Sequence, residues 1–300
     1  MAVYRLKLFT PKSGHDLKSK QDCINKGKIA IGWPVDDAKD LKDYCDKAKK
    51  RHSADGKNLN RGLKVSLNRL IEMSNNIKNG TENYIWVQVD GLDYRLGKIT
   101  NSEIFFDNEF GPMMECIWSN AKNKENKIDF DLVPGEILSS FVGRGYVLCH
   151  VHCSEEIEKY CKSLYENYKL EINADNIKNL LHYDDLEDLA GLYLQEKKKY
   201  YIIPSTNKQG SKLIEYELRD SCGNKACIQC KIGDSEVDVK KIREKYPHHL
   251  IYVCTLNEEI DDFGDNKAER IPIKEIFDWM RDHKNILPER IKKYIELTVV

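Results

Sequence analysis

Apolar positions along this chain change period several times, and each change marks an element. Ala2–Phe9 and Lys28–Trp33 (KIAIGW) read as strands, with Asp16–Lys26 as a helix between them. Residues 36–78 switch to helical spacing, with Leu41, Tyr44, Cys45 and Ala48 on one face, then Leu63, Leu67, Leu70 and Ile71. Short alternating strands follow at Tyr84–Val89, Tyr94–Ile99, Ile104–Asp107, Glu115–Ser119 and Gly145–His152. One helical insertion among several short strands predicts a small β-barrel with flanking helices.

The second half has a different rhythm. Ile157–Leu170 and Asp184–Glu196 carry helical periods, with polar Glu171–Tyr183 between them. Strands are expected at Tyr200–Pro204, Lys212–Leu218, Lys225–Lys231 and His249–Thr255. Val237–Tyr246, Ile273–His283 and Pro288–Leu297 read as helices. Helices around a mixed central sheet form an α/β sandwich. The expected class is therefore α+β, with a first domain over 1–155, a helical linker over 156–183 and a second domain over 184–300.

Composition narrows the picture. At 41% hydrophobic the chain can bury real cores, and at 32% charged its surface is well solvated. The opening MAVYRLKLFTPKSG has no long apolar run after its charges, and no window approaches the roughly 18 apolar residues of a span. The expectation is a soluble, cytoplasmic protein without a membrane partner. The ten cysteines are expected as reduced thiols, because Cys149, Cys227, Cys230 and Cys254 lie in apolar runs. Cys222, Cys227 and Cys230 lack the second paired loop of a zinc site. The net charge of −1 hides 18 Lys+Arg against 9 Asp+Glu in residues 1–78, which leaves −10 for the rest. That surplus reads either as an anion-binding surface or as a solvated lysine-rich face.

The chemistry concentrates in KLIEYELRDSCGNKACIQCK, Lys212–Lys231, read as two strands joined by a tight Gly-Asn turn. Glu215 and Glu217 share one face of the first strand, and Gln229 and Lys231 one face of the second. Glu217, the Gln229 side-chain oxygen and the Cys230 carbonyl can hold Mg2+ (or Mn2+), a cation that takes oxygen ligands. Lys231 can orient a water or neutralise a phosphate, and Glu187 on the preceding helix can add a carboxylate. The plain alternative is a surface hairpin with cross-strand ion pairs. Ser205 and Lys208, in the polar turn IPSTNK, are candidate phosphate contacts.

LEDLAGLYLQEKKKYYIIPSTNK, followed by IEYEL and ACIQCKIG, resembles the PD-(D/E)xK restriction-endonuclease-like superfamily, and within it the Mrr-like branch. The resemblance covers about residues 180–300. It implies Mg2+-dependent cleavage of phosphodiesters, usually in DNA, with Gln229-Cys230-Lys231 as the QxK element and Glu217 as the first acid. GKIAIGWP, YIWVQVDGLDYRLGKI, FFDN and DLVPGEILSSFVGRGYVL resemble the EVE domains of the PUA-like superfamily, over about residues 1–150. That implies an aromatic pocket for a modified base, with Trp33 first and Trp118 second as the stacking residue. Lys28, Lys49, Lys50 and Arg51 are then candidates for backbone contact. His52, His150 and His152 form no metal-ligand spacing, and His150 and His152, at alternate strand positions, are expected to be structural.

Together these readings imply a homodimeric, modification-dependent DNA endonuclease of restriction or antiphage defence. Two alternatives stay open: a non-catalytic sensor of modified DNA or RNA with a degenerate nuclease domain, and an RNA-processing enzyme.

Overall fold

The computed structural model describes residues 1–7, 22–52, 56–90, 92–119, 127–142, 146–206, 213–232, 237–256 and 263–299. The chain divides into two units, Met1–Ile172 and Asn173–Val300. Most of the expected Asp16–Lys26 helix lies outside the described residues; 22–25 are helical.

In the first unit the strands are β1 (Ala2–Lys7), β2 (Lys28–Ala30), β3 (Asn83–Asp90), β4 (Asp93–Ile99), β5 (Phe105–Asp107), β6 (Gly111–Trp118) and β7 (Leu148–His150). They form one curled, mixed sheet in the order β2-β6-β4-β3-β1-β7, with β5 on β6. Among the described residues, the β1–β3 pair is the only parallel one in it. Helices α1 (Leu41–His52) and α2 (Arg61–Lys78) are the insertion read from the sequence. The α2 stripe of Leu63, Leu67, Leu70 and Met73 is buried in one cluster with Tyr4, Leu6, Ile85 and Val87. Gly111 has a left-handed φ of 74°, and a Cβ there would sit 2.2 Å from the Gly32 carbonyl oxygen. That close approach lets the loop after β2 lie on β6.

Two elements of the first unit depart from expectation, and in the second the strand Ala268–Arg270 stands where none was expected. Helix α3 (Gly135–Val142) buries Ile137 and Phe141 where the sequence reading placed no element. Helix α4 (Glu155–Glu166), expected in a linker, instead belongs to the first unit. Its Cys161 Sγ accepts from the buried Trp86 Nε1 at 3.3 Å, and its Glu166 accepts from the Tyr84 hydroxyl at 3.2 Å. Burial of those aromatics fixes the helix, so the boundary falls between residues 172 and 173.

The second unit holds α5 (Tyr183–Lys197), β8 (Tyr201–Ile203), β9 (Tyr216–Arg219), β10 (Lys225–Lys231), α6 (Val239–Lys245), β11 (Leu250–Thr255), β12 (Ala268–Arg270), α7 (Ile273–Asp282) and α8 (Glu289–Glu296). Its sheet runs β12-β11-β10-β9-β8. The β8, β9 and β10 ladders are antiparallel, and the β10, β11 and β12 ladders are parallel. The sheet is therefore mixed, and β10 is its central strand. Residues 226–230 of β10 are all buried. Cys227, Ile251 and Val253 pack with Val239 and Ile242 of α6.

Two arginines tie this unit together. Arg243 of α6 donates through Nε to Asp265 at 2.6 Å, and to the carbonyls of His249 at 2.7 Å and Lys267 at 3.1 Å. Arg290 of α8 donates through Nε to Asp185 at 3.0 Å. The Asp185 carboxylate is 1% exposed and also accepts the His182 N–H at 2.9 Å, closing the N-terminus of α5. All ten cysteines are free thiols. Among the described residues, no helix is long and apolar enough to cross a membrane.

Removing one partner of a buried ion pair leaves the other charge uncompensated, at a cost of about 3–5 kcal/mol. Arg290→Ala should therefore lower unfolding free energy by about that much, measured by urea denaturation. Lys241→Ala, which removes an exposed pair with Asp238, should leave the midpoint unchanged.

Candidate functional site

The hairpin register decides which side chains meet. Arg219 pairs with Lys225, and Tyr216 with Ile228. The connection is a loop over 220–224 rather than a tight Gly-Asn turn. Asp220 Oδ1 accepts the N–H groups of Cys222 and Asn224, each at 2.8 Å, and the Asp220 N–H donates to the Asn224 carbonyl at 3.1 Å. This longer loop places Glu215, not Glu217, opposite Gln229. The Glu215 N–H donates to the Ile228 carbonyl at 2.8 Å.

Gln229 is 3% exposed on the central strand. Its Nε2 donates to Glu215 Oε1 at 2.6 Å and to the Cys230 carbonyl at 2.9 Å. Its Oε1 is buried with no hydrogen-bond partner. Burial raises the Glu215 carboxyl above the ordinary range, opposed by the Lys231 charge, the Cys230 N–H and hydrogen bonds from Glu187 and Gln229. Glu187 projects from the first turns of α5, whose start is held by Asp185 and Arg290. Burial, then the charge of Glu215, pushes Glu187 up to about 8. Near neutral pH Glu187 therefore carries a proton, which it shares with Glu215.

Four expected residues thus meet or act on one another here: Glu187, Gln229, Lys231 and the Cys230 carbonyl. The Cys230 thiol lies on the other side of the strand, register-paired with Cys254, which pushes its pKa up along with burial. Glu217 does not join them. It is opposite Cys227, its carboxylate 3.4 Å from Arg219 Nη2 and 3.8 Å from His249 Nε2. The acid that does join is Glu215, two residues earlier on the same strand face. Its signal was the Asp220-Ser221-Cys222-Gly223-Asn224 loop, whose capping aspartate sets the count. Ser205 is exposed in the turn Pro204–Thr206, and that turn is tied to the strand by the Glu217 N–H donating to Thr206 Oγ1 at 2.9 Å. Lys208 lies outside the described residues. A cleft of about 420 Å³ is lined by Asp188, Gln195 and Tyr216, of which Asp188 and Tyr216 are the sequence neighbours of Glu187 and Glu215.

Among the described residues, no group of three His, Cys, Asp or Glu side chains is arranged to hold a metal ion. The set around Gln229 has two carboxylates, and its other oxygens come from an amide and a backbone carbonyl. A carboxylate, a backbone carbonyl and an amide oxygen are donor types that suit a hard, oxygen-seeking cation.

In the first unit, Trp118 is 8% exposed and its Nε1 donates to the Ile24 carbonyl at 2.8 Å. With its ring packed and its one donor used, Trp118 has no face for a base, which corrects the expectation. Trp33 is half-buried in a left-handed conformation with φ 58°, its carbonyl accepting from the Tyr44 hydroxyl at 2.8 Å. Its indole comes within 3.4 Å of where a Cβ on Gly62 would lie. The basic residues are largely spoken for. Lys28 lies 5.8 Å from the Phe105 ring centroid, Lys49 pairs with Asp46 at 3.1 Å and Arg51 with Asp36 at 3.1 Å. Lys50 is exposed and has no ion pair among the described residues. His52 contacts the Pro34 carbonyl at 2.8 Å, and His150 and His152 lie edge to face at 4.5 Å.

The raised Glu187 pKa has a stability consequence. The folded state holds a proton that the unfolded chain releases near 4.5, so stability falls as pH rises from there to about 8, then levels. Glu187→Gln should flatten that slope, measured as urea midpoints across the range. Comparison of the chain with family models, with curated proteins and with solved structures finds no match.

Proposed function

We propose that the second unit is a metal-dependent nuclease of the restriction-endonuclease-like kind, and that it cleaves DNA phosphodiesters. We further propose that the first unit, read as EVE/PUA-like, selects modified DNA through Trp33 and that the whole acts in restriction or antiphage defence. The observation that carries the nuclease reading is the buried Gln229 amide, its oxygen unpartnered and its nitrogen bonded to Glu215 and the Cys230 carbonyl, with Lys231 at the end of the same strand. A plain surface hairpin would leave that side chain in water.

Glu215, the Gln229 oxygen and the Cys230 carbonyl would hold Mg2+ or Mn2+, which supplies charge neutralisation and a more acidic water. Lys231 brings an ammonium to oppose the negative charge that builds on the phosphate. Glu187 holds a proton at its carboxyl beside Glu215 and gives it up when positive charge enters. Cutting both strands of a duplex needs two such centres, which fits a two-fold homodimer. Two observations favour the rival sensor reading: near neutral pH Glu187 is protonated, and an amide stands where an acid would strengthen metal binding.

The decisive measurement is cleavage of modified and unmodified DNA, and of RNA, with Mg2+ or Mn2+. Lys231→Ala should slow cleavage about 10²–10³-fold, the usual loss when one charge-stabilising group is removed. Glu215→Gln should abolish it, and Glu217→Gln should change it little. Binding without cleavage of any substrate would support the sensor; cleavage of RNA with DNA spared would support RNA processing. Trp33→Ala should weaken DNA binding by about 1–3 kcal/mol, the worth of one base–aromatic stack, and Trp33→Phe, which keeps an aromatic face, should restore most of it. Trp118→Ala should instead destabilise the unit.

A further inference from the structure

Gln229 occupies its site as a donor. Its Nε2 is bonded to Glu215 Oε1 at 2.6 Å and to the Cys230 carbonyl at 2.9 Å, the two oxygens that the cation of the nuclease reading needs. Its Oε1 is buried and has no partner. A planar amide nitrogen has no free lone pair for a metal ion, so Nε2 must leave before a cation enters. With the side chain 3% exposed, swinging outward is blocked by packing. A half-turn of the terminal amide exchanges nitrogen and oxygen in place, and that torsion is broad and roughly two-fold. With no cation, the turned amide would set three acceptor oxygens against each other, so the nitrogen faces inward. With a cation, the turned amide completes a set of three oxygen ligands.

We propose that Gln229 is a two-state residue that decides cation entry: its amide nitrogen stands in for the cation, and a half-turn presents Oε1 as a ligand. The inference rests on the metal-site reading above. It makes the cation compete with a charge-assisted hydrogen bond, which a carboxylate at that position would not impose. Gln229→Glu should therefore bind Mg2+ about tenfold tighter or more, because the competing bond is lost and a charged ligand is gained.

The test follows the Gln229 side-chain NH2 by 1H–15N NMR in the full-length wild-type protein, during titration with MgCl2. The resonance is assigned through its own backbone, so the readout does not depend on a variant folding. Calorimetry of wild type and Gln229→Glu with MgCl2 and MnCl2 at alkaline pH gives the affinities. The expected result is a shift of the NH2 signals away from their carboxylate-bonded position, with tighter binding by Gln229→Glu. If Mg2+ binds with the Glu215 backbone signals perturbed but the Gln229 NH2 unmoved, the two-state assignment is overturned and the metal site stands. If neither protein binds Mg2+ or Mn2+, the metal-site reading falls, and this inference with it.

Discussion

A polar side chain on the central strand of a sheet cannot turn to water, and the site in the second unit is organised by that constraint at Gln229. Neighbouring strands close both edges of β10, and helices cover its faces. The amide must then be satisfied by what the fold brings to it. Glu215 arrives because β9 pairs in one register. The Cys230 carbonyl arrives because it is the next residue. Glu187 arrives because Asp185 and Arg290 fix where α5 begins. Each of these placements stands on a buried hydrogen bond, and together they leave a single acceptor unmatched.

The same constraint explains the proton on Glu187. Two carboxyl groups within reach of each other in a half-buried setting cannot both be ionised at little cost. Burial raises both acids; Lys231 and the hydrogen bond from the Gln229 amide oppose that rise at Glu215, while the charge of Glu215 adds to it at Glu187. Position alone thus sets the two acids apart, with the one on the helix held as an acid near neutral pH.

Much of this was legible in the sequence, for identifiable reasons. Lys225–Lys231 reads as a central strand because polar Gln229 sits inside an unbroken apolar run, and the structure gives those same bounds. The stripes of α1 and α2 are visible because their apolar residues recur at helical spacing. The choice between Glu215 and Glu217 was not legible from alternation, since both lie on one face. It turned on the length of a loop, and side-chain capping by Asp220 makes that loop longer than its Gly-Asn pair suggests. Helix α3 was hidden by Pro134 and Gly135, residues that mark turns but also tolerate a helix start. Trp118 resembled a pocket residue only because burial of an indole cannot be seen until its N–H partner is known.

The Asp220–Asn224 loop has a consequence for how such a protein changes over time. Each rung of the ladder below it is numbered from that loop, so loss of two residues there would re-pair the whole hairpin, bringing Glu217 opposite Gln229 while every side chain keeps its face. The acid facing Gln229 would then change with no substitution at Glu215, Glu217 or Gln229. Ancestry written in this form is carried by insertions and deletions rather than by residue identity, and a comparison that scores identities column by column is blind to it.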